Sequence, residues 1–339
     1  MRRNFVCTIV AAAVCAVAPG LASGQSVEKQ KVTIAVGGKA AFYYLPLAIA
    51  EQLGYFRDEG VNVEVIDFAG GSKALQAVVG GSADVVSGAY EHTINLQSRK
   101  QYFTAFVMQG RAPQIVLGVS TKSGIKSAAD LKGKKIGVSA PGSSTNMVAS
   151  YVLAKNGLKA TDAAYVGVGT GSGAIAAMRS GQIDALSNVD PIMTMLERSG
   201  DIKVLTDTRT LKATNELFGG AMPAGCLYAP EDFIKKNPRT VQAMANAMVR
   251  AVKWLQTAGP SDIIKTVPEA YLLGDRALYL AAYLNGKEAI STDGLMPNGG
   301  PENTLKAVSS FNTKLDASQI DLARTFTNDF AKKAHAKYK

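Results

Sequence analysis

The chain contains one stretch twice, and this repeat limits the possible fold more than any other feature. Residues 70–85 read GGSKALQAVVGGSADV, and residues 171–186 read GSGAIAAMRSGQIDAL. With Gly71 placed on Gly171, the match runs without a gap through Ala74 and Ala174, Ala77 and Ala177, Gly81 and Gly181, and Asp84 and Asp184. Each copy predicts a Gly-Ser turn after a buried strand, then an apolar helix, a glycine stop and a strand that begins at an aspartate.

The flanking segments extend the repeat. KVTIAVGG (31–38) precedes the first copy and KKIGVSAPGSS (134–144) precedes the second. Both predict a strand, a loop rich in glycine or serine, and a helix. Two similar α/β lobes follow, and 339 residues are enough to bury two such cores.

The N-terminus predicts a cleaved secretory signal peptide over residues 1–24. Arg2 and Arg3 precede an apolar run at 5–17, and the small residues of APGLASGQS follow. We expect the general secretory route in preference to the twin-arginine route, and therefore export to the periplasm. Cleavage leaves Cys226 as the single cysteine, which we expect to be a small buried hydrophobe.

Composition excludes several classes of function. Hydrophobic residues make up 47% and charged residues 19%, as in a globular protein. The net charge is +10, but the lysines are scattered and form no basic stripe interleaved with aromatics, so we predict no nucleic-acid partner. With two histidines and no His/Cys cluster, the sequence predicts no metal and no cofactor.

Candidate ligand-binding residues follow strand ends and helix starts. Ligands of open α/β sheets bind beyond the carboxyl ends of the strands, and helix N-termini offer unpaired N–H groups and partial positive charge to anions. These rules select Lys39, Tyr43, Tyr44, Gly71, Ser72, Tyr90, Ser143, Ser144, Thr145, Asn188 and Asp190. Arg111 joins them, because a guanidinium in an apolar neighbourhood can hold a carboxylate or sulfonate at two points.

Each selection has a structural alternative. Tyr43 and Tyr44 are interpreted equally well as packing residues. A Gly-Ser turn also serves an ordinary βα connection, and one hydroxyl is enough to cap a helix start. A salt bridge at the rim of the molecule accounts for Arg111 as well as a ligand clamp does.

The C-terminal third predicts a return crossing and two helices. The apolar stretch 218–228 is interpreted as the return crossing between the lobes. Asn237 is expected to cap, and Pro238 to open, a long helix with one apolar face. Residues 317–339 predict a surface helix with a basic end.

Longer motifs resemble a family: the solute-binding proteins of ABC importers in the nitrate/sulfonate/taurine group, related to the thiamine-pyrimidine precursor synthases. The resemblance covers essentially the whole mature chain and is more specific for the fold than for the ligand. It rests on YYLPLAIAEQLGYFRDEG (43–60), FAGGSKALQAVVGGSADV (68–85), DLKGKKIGVSAPGSS (130–144), GQIDAL (181–186) and YAPEDFIKKNP (228–238).

The resemblance implies an α/β, two-lobed type II periplasmic-binding-protein fold, each lobe a mixed sheet flanked by helices, with two crossover strands as a hinge. Lobe one would comprise 27–115 plus 223–339, and lobe two 116–222. Hinge closure would trap a small anionic or zwitterionic ligand for delivery to an ABC importer permease with its ATPase. We expect a monomer, and the resemblance places the residues selected above, Arg111 apart, on the ligand-facing loops.

The ligand class and the competing functions stay open at this point. We expect a sulfonate or carboxylate, with or without an aromatic body; Asp190 would repel such an anion unless it meets an amine or another donor, so taurine-like zwitterions and aromatic carboxylates both fit. An enzyme of the same scaffold, a desulfinase or a pyrimidine synthase, would need a nucleophile. Only Cys226 with His92 offers one, without a third orienting residue, so we predict no catalytic residues. A periplasmic ligand sensor would use the same closure.

Overall fold

The computed structural model describes residues 26–338. The predicted signal peptide, including Arg2 and Arg3, lies outside the described residues. The strands are β1 (Lys31–Val36), β2 (Asn62–Asp67), β3 (Val85–Ala89), β4 (Phe103–Met108), β5 (Ile115–Ser120), β6 (Lys135–Val138), β7 (Ala164–Gly167), β8 (Ala185–Val189), β9 (Ile202–Asp207) and β10 (Gly225–Pro230).

Helices connect and cover these strands. They are α1 (Leu45–Gln52), α2 (Tyr55–Asp58), α3 (Gly71–Val79), α4 (Glu91–Gln97), α5 (Ser144–Lys155), α6 (Ser172–Arg179), α7 (Ile192–Arg198), α8 (Leu211–Phe218), α9 (Glu231–Lys236), α10 (Pro238–Thr257), α11 (Pro260–Thr266), α12 (Arg276–Gly286), α13 (Gly300–Ser309) and α14 (Asp329–Lys337). Short 3₁₀ turns include Phe42–Tyr44, Ala317–Gln319 and Leu322–Arg324.

The strands form two five-stranded sheets of the same plan. Their orders are β2-β1-β3-β10-β4 and β7-β6-β8-β5-β9. In each sheet the first three strands are parallel, and the fourth is antiparallel to both of its neighbours. The chain passes from the first sheet to the second between β4 and β5 and returns between β9 and β10. The predicted fold class, two α/β lobes with mixed sheets, is confirmed; we call the first sheet with its helices lobe one and the second lobe two.

The repeated aspartate has the same structural task in both lobes. Asp84 accepts the Thr33 N–H at 2.9 Å and donates its own N–H to the Thr33 carbonyl, which ties the start of β3 to β1. Asp184 makes the same two bonds to Lys135, at 2.8 Å each, and ties β8 to β6. The repeat in the sequence is therefore a repeat in hydrogen bonding, because a carboxylate at this turn satisfies a backbone N–H of the neighbouring strand.

The long helix α10 forms as predicted with Asn237 at its N-cap position, but the Asn237 side chain does not cap it. Asn237 turns its amide back to the Phe233 carbonyl at 2.9 Å, where it satisfies the open end of α9. The N-terminal N–H groups of α10 at Arg239 and Thr240 instead donate to the Glu28 carboxylate at 3.0 and 2.9 Å. A residue distant in sequence therefore caps the helix.

One further C-terminal prediction needs correction. The predicted helix over 317–339 forms only from Asp329, because Asp316 and Asp321 accept the N–H groups of Ser318 and Ala323 in local turns that compete with a helix. The predicted return crossing at 218–228 lies where the chain comes back to the first sheet: a coil over 219–224 joins the end of α8 to β10, which includes 225–228. Among the described residues, no helix is both long and apolar enough to span a bilayer.

Candidate functional site

The two lobes meet where α3 and α5 begin. The Ser72 N–H, in the first turn of α3, donates to Ser143 Oγ at 2.9 Å, and Ser72 Oγ donates to the Pro141 carbonyl at 2.9 Å. Ser143 is the N-cap residue of α5, but its side chain does not cap that helix. Its hydroxyl accepts an N–H of the facing helix of the other lobe instead, so lobe two completes a helix start that lobe one leaves open.

Glycines allow the lobe surfaces to touch. A Cβ on Gly70 would lie 2.8 Å from Ala140 Cβ and 2.9 Å from the Ala140 backbone nitrogen. On the other side of α3, the Phe42 N–H donates to the Asp190 carbonyl at 3.0 Å. Contacts this short between lobes require a residue without a side chain, and they show that the lobes are closed on one another.

A cavity of about 420 Å³ lies between α3 and α4 of lobe one and α5 of lobe two. Its inner end is polar, with Glu91 and His92 beside the bridging serines, whereas Leu75, Met147 and Phe311 give it apolar walls. The volume is typical of pockets that hold small organic molecules.

Three of the buried polar atoms that have no hydrogen-bond partner lie near one another in lobe one: Tyr43 Oη, Glu91 Oε1 and His92 Nε2. The side chains are 4%, 2% and 3% exposed. Leaving such an atom unpaired costs roughly 1–3 kcal/mol, so a group of three calls for a missing partner. Glu91 and His92 line the cavity, and Tyr43 is close enough to Glu91 for that charge to raise its pKa further beyond the effect of burial.

Gly71 marks the centre of this group. A methyl group placed on it would lie 3.5 Å from His92 Cε1, 3.8 Å from Tyr44 Oη and 4.0 Å from Ser143 Oγ. The ring of Tyr44 in turn stands edge-on to that of Tyr43, with centroids 5.1 Å apart. The start of α3 therefore faces hydroxyl and imidazole groups from both lobes across a space of about one methyl group.

Burial sets the protonation of the two titratable groups at the inner end. It raises the pKa of Glu91 to about 7, against a smaller effect of a backbone hydrogen bond. It lowers the pKa of His92 to about 4, although the Gly142 carbonyl of lobe two opposes this shift. The His92 ring is therefore neutral at neutral pH, with Nδ1 2.8 Å from the Tyr228 hydroxyl, while Glu91 titrates in the neutral range.

Of the residues selected from the sequence, the structure brings Tyr43, Tyr44, Gly71, Ser72 and Ser143 together at this site. Other selected residues do not line the cavity and bond to neighbouring groups of the protein instead. Tyr90 is buried, and its hydroxyl lies 2.5 Å from Thr325 Oγ1. Thr145 Oγ1 accepts the Ser139 N–H, and Asn188 donates to the Gly169 carbonyl while its own oxygen accepts the Val189 N–H.

The predicted cations do not reach the cavity. The Lys39 backbone N–H donates to Asp67 at the outer edge of the loop after β1. Arg111 Nε donates to the Glu288 carbonyl at 2.8 Å beside the crossing between the sheets. Ser144, the first residue of α5, is half-buried and does not line the cavity.

Asp190 is paired within the protein. Its carboxylate lies 3.3 Å from Arg209, and both side chains are buried. Arg209 also binds Asp207 at 2.7 Å and Glu197 at 3.1 Å; despite burial, these carboxylates hold the pKa of Arg209 above its usual value. The pocket beside the pair holds only about 10 Å³, room for one water molecule.

Sequence reasoning missed Glu91, His92 and Arg209 as parts of this interface. Glu91 and His92 directly follow the selected Tyr90, so the strand-end rule would have reached them two positions further along. Arg209 carries no comparable signal, because it lies 19 residues from Asp190 in a stretch without a motif.

Cys226 and His92 do not form a catalytic pair. Cys226 is fully buried within β10, and burial raises the pKa of its thiol well above the usual range. The Nδ1 atom of His92 faces Tyr228. The reactive thiolate that a nucleophile requires is therefore disfavoured here. Within residues 26–338, no group of three or more His, Cys, Asp or Glu side chains is placed to hold a metal ion.

Comparison with known sequences identifies a matching family and similar proteins. A family model described as NMT1/THI5 like matches residues 41–260. The chain is similar to a Brucella abortus protein provisionally named a binding protein, with 27% identity over 249 residues and 73% of each chain covered. It is also similar to the 4-amino-5-hydroxymethyl-2-methylpyrimidine phosphate synthase of Schizosaccharomyces pombe, with 25% identity over 64% of this chain and 63% of that one.

Solved structures of other proteins share the fold of this chain. A Bordetella bronchiseptica protein is 59% identical and superposes with a TM-score of 0.91, covering 93% of this chain and 99% of that one. The periplasmic aliphatic sulphonate binding protein of Escherichia coli superposes with a TM-score of 0.61 at 21% identity, covering 88% and 92%. The latter identity shows a shared fold alone. Binding proteins and an enzyme thus occur among the relatives.

Proposed function

Because the chain belongs to the NMT1/THI5-like family, we propose that it is an exported solute-binding protein that closes its two lobes on a small organic molecule. One observation carries the proposal: the bond between Ser72 and Ser143 joins the lobes at a cavity lined by Glu91 and His92, each of which has a buried polar atom without a partner. Closure then creates contacts that the open protein lacks, and ligand affinity depends on them.

The proposed ligand is a small anion or zwitterion with an organic body, a sulfonate or a carboxylate. The start of α3 provides partial positive charge, and the unpartnered side chains supply further hydrogen bonds. An inorganic anion would leave most of the 420 Å³ unfilled, whereas apolar contact with Leu75, Met147 and Phe311 favours an organic body. Lys39 and Arg111 do not support an anion here, since neither lines the cavity.

The remaining parts of the proposal concern the cellular role. We assign the protein to the periplasm, as a monomer that delivers its ligand to an ABC importer permease with its ATPase, and we assign it no enzymatic activity. For the lobe boundaries we propose those expected from the sequence, with 27–115 plus 223–339 in lobe one and 116–222 in lobe two. The chemistry of Cys226 supports a binding role, because the sulfur is inaccessible.

A thermal-shift panel of sulfonates, carboxylates and their amino derivatives tests the proposal. A compound present at 100 times its Kd should stabilise the protein by about 2.7 kcal/mol. Small-angle scattering with that compound should show a more compact particle than without it, and mass spectrometry should recover the compound unchanged. No stabilisation by any member of the panel would contradict the proposed ligand class, and a chemically altered compound would contradict the binding role.

A further inference from the structure

The inner end of the cavity carries an acidic group and no cation. Glu91 lines the cavity, its Oε1 is buried without a hydrogen-bond partner, and the side chain is almost fully buried. Of the described residues that line the cavity, one has a cationic side chain: Arg99, which is exposed at the mouth. A ligand anion placed against Glu91 would therefore meet an acid or a carboxylate with no neighbouring positive charge to compensate it.

The other groups around Glu91 are neutral hydrogen-bonding groups. Tyr43 and Tyr44 approach it from the turn before α1, and Cys226 and Tyr228 from β10, while the neutral His92 follows it in α4. Burial raises the pKa of each tyrosine hydroxyl and of the thiol above its usual value, so none of them carries charge near neutral pH. The inner end thus offers one acceptor of variable charge within a ring of neutral groups.

We propose that Glu91 selects a ligand whose inner group is a nitrogen donor, an amine or an amide N–H, and discriminates against simple alkyl or aryl anions. This inference rests on the proposed function and narrows its ligand class. The N–H group would donate to Glu91 Oε1, while any acid group of the same ligand would lie toward the start of α3 at Gly71 and Ser72. Tyr43 Oη and His92 Nε2 would supply the remaining hydrogen bonds.

A pH dependence follows from this arrangement. An ammonium group binds the ionised form of Glu91, and burial keeps much of that carboxyl protonated up to about pH 7. Affinity for an aminated ligand should therefore rise from pH 6 to pH 8, with protons released on binding. His92 does not contribute to this change, because burial lowers its pKa to about 4 and it stays neutral throughout.

Matched pairs of probes test the inference. The pairs are 2-aminoethanesulfonate with ethanesulfonate, and 4-(aminomethyl)benzoate with 4-methylbenzoate, titrated calorimetrically at pH 6, 7 and 8. At pH 8 the aminated member should bind about tenfold or more tightly than its partner, because a charge-assisted hydrogen bond is present in one complex alone. In Glu91→Gln the difference should collapse and the pH dependence should vanish. The control Glu64→Gln changes an exposed carboxylate on β2 and should alter neither.

The possible outcomes separate this inference from the function on which it rests. Equal or tighter binding of the member without nitrogen, or a preference that survives Glu91→Gln, would overturn the role of Glu91 while leaving solute binding intact. A flat pH profile in the unaltered protein would do the same, and it does not depend on the variant folding. Absence of binding by these probes and by every compound in the panel would reject the proposed function and this inference with it.

Discussion

The contact between Gly70 and Ala140 provides a way to prevent closure without disturbing either lobe. In Gly70→Ala the new Cβ would lie 2.8–2.9 Å from atoms of Ala140 and Ser139 in lobe two. The backbone at Gly70 is extended, with φ 178°, so alanine fits lobe one without strain. Since carbon atoms pack at about 3.5–4.0 Å, the lobes must separate by about 1 Å at this point.

That separation sets the size of the expected effect. The bond from the Ser72 N–H to Ser143 Oγ, now 2.9 Å, would lengthen to about 3.9 Å, and the bond from Ser72 Oγ to Pro141 would be lost with it. Each such bond contributes roughly 0.5–1.5 kcal/mol, so the two together represent about 1–3 kcal/mol. We expect Gly70→Ala to bind the best compound of the panel about 5–150 times more weakly by calorimetry.

The unfolding free energy without ligand separates a closure defect from a folding defect. Gly70→Ala should unfold at nearly the same urea concentration as the unaltered protein, because the open form accommodates the methyl group. The control is Gly171→Ala, where nothing lies within 4 Å of the added Cβ, and it should change neither affinity nor scattering. Unchanged affinity of Gly70→Ala, or full compaction on adding the compound, would refute the reasoning.

Three further predictions follow from the same structure. Gly71→Ala should fold normally, since its nearest contact is 3.5 Å, yet weaken binding because the methyl group enters the ligand space; Gly171→Ala, its counterpart in the repeat, should bind normally. Native stability should fall by up to about 3 kcal/mol as pH rises from 4.5 to 7, because burial raises the pKa of Glu91 to about 7 and the unfolded chain releases that proton earlier; Glu91→Gln in urea titrations should lack this part of the fall. Arg209→Leu should lower the unfolding free energy by about 3–5 kcal/mol, because Asp190 is left charged and buried, and Asp190→Asn in the same chain should recover much of the loss.

The fold could be predicted because its signals are local. Strand β1 forms over Lys31–Val36, within the segment 31–38 that predicted a strand, since a largely apolar run indicates a buried parallel strand. The order of strand, glycine turn and helix is also the same in both lobes. An error in assigning the elements of one copy would therefore have shown as a mismatch with the other copy. The two exceptions are the cap of α10 and the start of α14. Both depend on carboxylates that accept backbone N–H groups, those of Glu28, Asp316 and Asp321, and the folded path of the chain decides which N–H group each one meets.

The site was predictable only as a neighbourhood. Strand ends and helix starts lead to Ser72 and Ser143 because both rules follow from backbone geometry alone. They do not tell which side chains already have partners inside the protein. Asp190 was expected to face a ligand, but Arg209 neutralises it, and no short motif joins the two. Three-dimensional pairing of side chains is the information that a single sequence does not contain.

The repeat also explains why the two lobes contribute unequally to the site. In lobe two the start of α6, which corresponds to that of α3, is exposed, and α5 faces α3 instead. The unpartnered atoms all belong to lobe one, whereas Ser143 supplies a closing contact. We therefore expect Ser143→Ala to weaken every bound compound by a similar factor, and Tyr43→Phe to change the ranking among compounds. The reason is that a contact between the lobes contributes to closure whatever the ligand is. Calorimetry of both variants across the panel checks this expectation. A ranking of compounds that is altered by Ser143→Ala but preserved by Tyr43→Phe would reverse the two assignments.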